Sequence, residues 1–257
     1  MKSAPRYLVV LTLVLTLGCG GSGGDFNLIS VEEEWQLGNQ LAADIARQVR
    51  VRNDPTGYLD RVGQRIVSQT PYANMPWQFH LVDDPEINAF AIPGGHVYIH
   101  TGLINAARNS SEVAGVMAHE ISHVVARHST EQMSRQYGLQ ILAGLALGQN
   151  PGQIQQIATA IVAQGALARY SRDAETEADR LGARYMNDAG YDPRGMVTMF
   201  QTLIANRQSR PGAVEQFFST HPLTEDRIRR VESEIAQLER RSANSDEAAF
   251  QQLKNSV

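Results

Sequence analysis

Residues 109–127 read NSSEVAGVMAHEISHVVAR, and the rest of the chain is organised around them. Asn109 is a suitable helix N-cap with Glu112 three residues later, and the apolar residues recur at the spacing of one helix face. The pattern therefore predicts an amphipathic helix that is half buried. Its apolar face contains Val113, Val116, Met117, Ile121, Val124 and Val125.

This helix carries the motif His119-Glu120-Ile121-Ser122-His123. Because residues four apart lie on one side of a helix, both imidazoles can contact a single ion, and zinc is typical of this spacing. Glu120 lies beside the pair, where its carboxylate can accept a proton from water activated by the metal. The alternative is an ordinary amphipathic helix that contains the motif by chance. A zinc site requires a third ligand from elsewhere in the chain.

Length and composition favour a globular protein without nucleic-acid partners. The 257 residues, 42% of them hydrophobic, suffice for one large domain or two small ones. The net charge is −4 and no basic stripe is visible, which argues against nucleic-acid binding. Lys2 and Arg6 precede an apolar run, so we expect residues 1–18 to be a signal peptide, too short to span a bilayer.

Cys19 is the only cysteine, which excludes an internal disulfide. Residues 15–19, LTLGC, resemble the lipobox of bacterial lipoproteins. That resemblance implies lipidation of Cys19 and, with Gly20 following, a location on the periplasmic face of the outer membrane. The alternative is a plain secretory peptide and a soluble periplasmic protein. Residues 19–30 are glycine-rich and are expected to form a flexible tether.

We expect residues 31–241 to form the main domain and residues 242–257 to be a polar tail. Two small-residue apolar segments, 138–148 and 154–168, predict a packed helical hairpin, the alternative being a surface that contacts lipid or polypeptide substrate. Helical periodicity recurs in several other segments, namely 32–51, 56–68, 196–206 and the stretch from 224.

Alternating residues predict strands at 78–82, 87–92 and 96–100, the last two joined as a hairpin by PGG at 93–95. His96 and His100 share one face of the last strand. No acidic partner is near them in sequence, and exposed strand histidines are common. We therefore expect exposed residues here rather than metal ligands.

Residues 171–182, SRDAETEADRLG, contain several acidic side chains at helical spacing. Glu175 would face Asp179 at i,i+4, a repulsive arrangement that a cation near Glu175 would offset. The alternative is a solvated helix with arginine partners. Farther along, His221 precedes Pro222, which favours an extended conformation on a stiff loop.

Four separated stretches together resemble the HtpX-like and CAAX-prenyl-endopeptidase family of zinc metallopeptidases. The resemblance covers roughly residues 30–240. Since no run is long enough for a transmembrane helix, the chain is most similar to the soluble, lipid-anchored periplasmic branch. The stretches are HExxH at 119–123, SRxxExxADxxG at 171–182, NAFAxPGG at 88–95, and THP at 220–222 followed by Arg227-Ile228.

The resemblance implies that His119, His123 and Glu175 bind one Zn²⁺ per chain and that Glu120 is the general base. It further implies that Asp179 steadies a ligand histidine.

The resemblance also assigns roles to two later residues. His221 would bind substrate or cover the zinc as an extra ligand, and Arg227 would help to hold the oxyanion. The alternatives are a turn histidine for His221 and, for Arg227, a simple pair with Glu225 or Asp226.

We expect substrate to bind at Asn88, Gly95, His96 and Val97, because the strand at 95–99 would offer an edge to an extended chain. The fold implied is α+β and mainly helical, a gluzincin-like domain with a small antiparallel sheet beside the motif helix.

The expected function is a zinc-dependent endopeptidase of the bacterial cell envelope acting on unfolded or misassembled envelope polypeptides. One alternative is a periplasmic chaperone or assembly factor that uses the same groove without cleavage, and another is a scaffold lipoprotein. The sequence leaves the oligomeric state open.

Overall fold

The computed structural model describes residues 27–146, 169–222, 224–241 and 246–257. The expectations for the signal peptide, for Cys19, for most of the tether and for the segment 154–168 lie outside these residues. In chain order the elements are α1 Val31–Ile45, β1 Val51–Arg52, α2 Tyr58–Val67, β2 Gln78–Val82, β3 Ala89–Ile92, β4 His96–His100, α3 Thr101–Ala106, α4 Ser110–Val125, α5 His128–Ala146, α6 Arg172–Asp188, α7 Arg194–Ser209, a 3-10 turn Pro211–Ala213, α8 Glu215–Thr220, α9 Glu225–Gln237 and α10 Glu247–Lys254.

Helix α4 is the predicted motif helix, and it forms the centre of the fold. The side chain of Asn109 accepts the backbone N–H of Glu112 at 3.1 Å, as expected of an N-cap. The helix is buried on almost every side rather than on one half. The helix is buried all round because α6, α7, α2 and β3 pack against it from different sides.

Two glycines allow the helices around α4 to approach closely. A Cβ on Gly182 of α6 would lie 3.1 Å from the backbone nitrogen of His119, and one on Gly115 of α4 would lie 2.8 Å from the Cα of Met196 in α7. Because interiors are close-packed, side chains at these two positions would push the helices apart. The close contact brings the first turn of α6 beside the motif histidines.

The four strands form one mixed sheet in the order β1-β2-β4-β3. β3 and β4 form the predicted antiparallel hairpin and β1 is antiparallel to β2, but β2 and β4 are parallel. The expectation of an antiparallel sheet is therefore wrong. Residues 83–95 provide the crossover that a parallel pair needs, and β3 lies within that crossover.

Two further boundaries differ from the predictions. Helix α1 ends at Ile45, and the residues expected to complete it include the short strand β1. The stretch expected as a polar tail contains α10, whose Phe250 and Leu253 are buried. The Phe250 ring lies 5.9 Å from the ring of Tyr58, so this helix packs on the body. Over the described residues, no helix has both the length and the apolar character required to cross a membrane.

Candidate active site

Four buried side chains from three parts of the chain converge beside α4. They are His119 and His123 of α4, Glu175 of α6 and His221 at the end of α8, and their donor atoms all lie within 4.8 Å of one another. Each is at most 3% exposed. The structure thus brings together the three residues expected as ligands and the histidine expected to cover them.

The local sequence explains how each side chain reaches this point. His119 and His123 are one helical turn apart. Glu175 lies in the first turn of α6, which starts after Ser171, whose side chain accepts the N–H of Ala174 at 3.1 Å. His221 follows the last residue of α8, at φ −120° and ψ 82°, which is outside the helical region that the next residue, a proline, disfavours.

The distances between the donor atoms suit a single ion. The Nε2 atoms of His119 and His123 are 3.0 Å apart, and His119 Nε2 is 3.3 Å from His221 Nδ1. Glu175 Oε1 lies 3.4 Å from His123 Nε2 and 3.0 Å from His221 Nδ1. Ligand atoms about 2.1 Å from a tetrahedral ion are about 3.4 Å apart. The observed spacing is therefore close to that of a tetrahedral metal site.

The protonation pattern also fits a cation. Asp179 Oδ1 lies 2.9 Å from His119 Nδ1, and this carboxylate favours the tautomer with its proton on Nδ1, which leaves the Nε2 lone pair for the site. His123 Nδ1 is 2.9 Å from His128 Nδ1. When His123 donates through Nδ1, two Nε2 lone pairs face each other at 3.0 Å, which is repulsive without a cation between them. This donor set suits a divalent transition metal.

Burial and neighbouring charge set the pKa values in the cluster. Burial alone would raise the pKa of Glu175, but His221 and His123 outweigh burial and hold that pKa below its ordinary value. Burial raises the pKa of Glu120, partly opposed by His221. Burial lowers the pKa of His123 well below its usual range. An ionised Glu175 and a neutral His123 are the states that metal binding requires.

Arg227 and Asp179 form a buried ion pair behind the cluster. Arg227 donates through Nε and Nη2 to the two oxygens of Asp179, both at 2.8 Å, and its Nη1 is 2.5 Å from Glu175 Oε2. Arg227 does not pair with Glu225 or Asp226, the alternative considered from the sequence. Those two acidic residues contact Arg229 instead.

A cleft of about 260 Å³ leads to the cluster. Glu120 and His221 line its inner end, and Glu120 Oε1 is 3.4 Å from His221 Nε2. The wall beside Glu120 is formed by the edge strand β3 and the residues around it, including Asn88, Phe90, Ala91 and Ile92.

Only one of the four residues expected to bind substrate lines this cleft, and that residue is Asn88. Strand β4 is paired on both sides, so it offers no free edge, and Val97 is fully buried. His96 is 2% exposed, contrary to the expectation of an exposed histidine. Gly95 has φ +79°, and a Cβ there would lie 2.3 Å from the Trp35 ring, so its role is in the turn.

His96 gives the protein a predicted sensitivity to acid. Burial, together with the neighbouring His80, lowers the pKa of His96 from 6.5 to about 4. Between these pH values the unfolded chain binds a proton at His96 and the folded chain does not, so acidification favours unfolding. We expect the free energy of unfolding to fall as the pH is lowered from 6.5 to about 4. The fall should be smaller in the variant His96→Gln, which has no imidazole to protonate at this position. Urea unfolding at several pH values measures how steeply the free energy of unfolding depends on pH in the wild type and in the variant. The same dependence in both proteins would contradict the prediction.

Two residues near the cluster were not predicted. The ring of Tyr170 stacks on that of His123 with centroids 3.9 Å apart, and His128 contacts the outer nitrogen of His123. The position of His128, five residues after His123, is a signal that could have identified it. Tyr170 lies two residues before α6 and has no comparable signal.

A family profile and several similar proteins all indicate the same class of protein, a metallopeptidase. The profile of Peptidase family M48 matches residues 53–235. Over 228 residues the chain is 30% identical to the mitochondrial metalloendopeptidase OMA1 of Schizosaccharomyces pombe, covering 86% of this chain and 66% of that protein. Over 222 residues it is 33% identical to the β-barrel assembly-enhancing protease of Escherichia coli, covering 81% of this chain and 45% of that protein.

A putative β-barrel assembly-enhancing protease of Vibrio cholerae is 35% identical over 212 residues, which are 78% of this chain and 43% of that protein. The chain thus spans less than half the length of the two bacterial relatives and about two thirds of the mitochondrial one. The family match extends over most of the chain and includes all four converging residues. This chain belongs to Peptidase family M48, which confirms the expected class, a metallopeptidase.

Proposed function

We propose that this protein is a zinc-dependent endopeptidase of the bacterial cell envelope that cleaves unfolded or misassembled envelope proteins. The observation that carries the proposal is the convergence of His119, His123 and Glu175 on one point, with Glu120 beside them at the inner end of a cleft. Two histidines and a downstream glutamate are the ligand set of a gluzincin-like site.

His119, His123 and Glu175 would hold the zinc, which when bound supplies a Lewis acid that acidifies water and polarises a peptide carbonyl. Asp179 lies 2.9 Å from His119 Nδ1, where its charge favours the ring orientation and tautomer that a ligand histidine needs. Arg227 contacts the carboxylates of Asp179 and Glu175 together. It is therefore a positioning residue, and its donors are already used by these carboxylates rather than free for an oxyanion.

Glu120 is the proposed general base and acid. Its carboxylate takes the proton of the attacking water and returns it to the leaving amine. Burial raises its pKa, which makes the carboxylate a stronger base than an exposed glutamate. His221, whose Nε2 lies 3.4 Å from Glu120 Oε1, is close enough to donate an N–H to the forming oxyanion once its Nδ1 has left the cluster.

Strand β3 is the proposed binding edge for substrate, in place of the interior strand β4. Its outer edge has no partner strand among the described residues, and it lines the cleft next to Glu120. An extended polypeptide can add to such an edge through backbone hydrogen bonds. Binding of this kind recognises the extended backbone of the substrate more than its side chains, which suits unfolded substrates.

The envelope location is part of the proposal. It is supported by the expected signal peptide, by Cys19 in a lipobox-like stretch, and by bacterial relatives named for β-barrel assembly. We propose on these grounds that it belongs to the soluble, lipid-anchored branch of the family and acts on the periplasmic face of the outer membrane.

A periplasmic chaperone is the second candidate function. The observation in its favour is the position of His221, whose Nδ1 is among the donor atoms and fills the place that water or substrate would need. A protein held in that state would bind chains without cutting them. Cleavage requires His221 to withdraw its Nδ1 from the cluster.

Metal removal tests the main proposal. Treatment with EDTA is expected to abolish digestion of fluorescently labelled, unfolded casein, and added Zn²⁺ is expected to restore it, because three ligands lose their shared ion. Suppression of aggregation by the same protein, measured by light scattering, would persist without the ion for a chaperone. Digestion at an undiminished rate by metal-free protein would contradict the proposal.

A further inference from the structure

A second group of metal-ligating side chains lies in the same cleft as Glu120. Asp84, Glu86 and His100 each place a donor atom within 4.8 Å of the other two. Glu86 and His100 line the cleft together with Glu120 and His221. None of the three belongs to the cluster described above.

His100 is a buried imidazole with no hydrogen bond. It is 5% exposed, and neither ring nitrogen has a hydrogen-bond partner in the part of the chain that the structure describes. Its Nδ1 is directed towards Asp84 Oδ1, at 4.0 Å. A buried polar group without a partner is unfavourable, and in functional sites such a group often awaits a ligand. A ring nitrogen of His100 that makes no hydrogen bond to any described residue therefore lies within 4.8 Å of a carboxylate oxygen of each acidic residue.

The backbone holds these three residues in place. Thr101 donates through its hydroxyl to the carbonyl of Asp84 at 2.8 Å, and the N–H of Gly102 donates to the same carbonyl at 2.9 Å. Asp84 Oδ1 accepts the N–H of Glu86 at 2.8 Å. A Cβ on Gly102 would lie 2.2 Å from the carbonyl oxygen of Pro85, so glycine permits this close contact. The acidic loop is therefore fixed against the end of β4.

Within the described residues the group has no basic side chain as a counter-ion, although the backbone N–H of Gln216 donates to the Glu86 carboxylate. Across the described residues, neither Asp84 nor Glu86 has a lysine or arginine nitrogen within 4.0 Å, since Arg50 and Arg52 contact Asp83 instead. Burial and the charge of Asp84 together raise the pKa of Glu86. A bound cation would remove the repulsion between the carboxylates.

We propose that Asp84, Glu86 and His100 bind a second divalent metal ion at the rim of the cleft. One imidazole and two carboxylates are a donor set for ions such as Zn²⁺. The side chain of Asp84 is 45% exposed, and its second oxygen is not used by the bond to the N–H of Glu86. Three protein ligands would leave at least one coordination position open. A substrate ammonium group is the other cation that two carboxylates attract, but it would not explain why a buried imidazole without a hydrogen bond to the described residues lies next to them.

Zinc stoichiometry tests this proposal without reference to peptidase activity. The purified protein is dialysed to equilibrium against buffered Zn²⁺, and bound metal is measured by mass spectrometry. We expect about two ions per chain in the wild type and about one in His100→Gln. His80→Gln is the matched control, because His80 lies on β2 outside both groups, and it should bind as many ions as the wild type. His119→Gln separates the two sites, since it should lose the other ion and keep this one.

Three outcomes would overturn the proposal. One is a single ion in the wild type at saturating Zn²⁺, and another is an unchanged stoichiometry in His100→Gln. The third concerns the variant Glu86→Gln. It would bind as much zinc as the wild type but would no longer cleave substrates that have lysine or arginine near the scissile bond, while still cleaving other substrates. That result would assign the group to a basic side chain of the substrate. Thermal unfolding of each variant by circular dichroism checks that the fold is retained.

Discussion

Replacing Glu120 with glutamine is expected to reduce peptide hydrolysis by about 10²–10⁴-fold, the range typical of general acid–base catalysis. Glutamine has nearly the same shape as glutamate, but its amide cannot accept the proton of the attacking water. The metal content should be unchanged because His119, His123 and Glu175 remain. Digestion of labelled casein and zinc analysis of the same preparation measure both quantities.

The control for this variant is Glu131→Gln. Glu131 lies on α5, where its carboxylate contacts Arg135 at 2.5 Å, and it is not among the residues that line the cleft. This variant should digest casein as the wild type does. If Glu120→Gln digests casein at the wild-type rate, Glu120 is not the general base.

The same variant distinguishes a protease from a chaperone. A chaperone would still suppress aggregation in Glu120→Gln, whereas an effect that depends on cleavage would be lost.

Replacing Arg227 with methionine is expected to lower the free energy of unfolding by about 3–5 kcal/mol, as when one partner of a buried ion pair is removed. Arg227 is 6% exposed and contacts both Asp179 and Glu175, so its loss leaves two buried carboxylates without their counter-ion. Bound metal should then contribute more of the remaining stability. Urea unfolding of metal-free and zinc-bound protein measures both effects.

Arg229→Met is the matched control. Arg229 lies two residues later, is exposed, and pairs with Asp226 and Glu225 on the surface. Its loss should change the free energy of unfolding by less than about 0.5 kcal/mol. The double variant Asp179→Asn with Arg227→Met should recover part of the stability because it removes charge from both sides of the pair. A loss below about 1 kcal/mol in Arg227→Met would mean that the pair behaves like an exposed one.

The local features of the fold follow from local sequence. The cap at Asn109, the hairpin through residues 93–95 and the spacing of His119 and His123 each depend on a few neighbouring residues, and all are present. Glu175 was expected beside the histidines because of a family resemblance. The acidic spacing alone also fitted a solvated helix.

Pairings between distant segments were the features that the sequence did not reveal. The parallel pairing of β2 with β4 is set by a crossover, and no residue within either strand specifies it. That pairing makes β4 interior, which in turn buries His96 and leaves β3 as an edge. Arg227 was expected to hold the oxyanion, or alternatively to pair with a neighbour in its own helix turn, yet its carboxylate partner Asp179 is 48 residues away. Such contacts depend on how the helices pack, and helix periodicity does not contain that information.

The central claim is that one metal ion is held jointly by α4 and α6. Anomalous diffraction at the zinc absorption edge, from crystals of the purified protein, tests it most directly. We predict a peak about 2.0–2.2 Å from Nε2 of His119, Nε2 of His123 and a carboxylate oxygen of Glu175. A map with no peak between these three side chains, or a Glu175 side chain directed into solvent, would contradict the account.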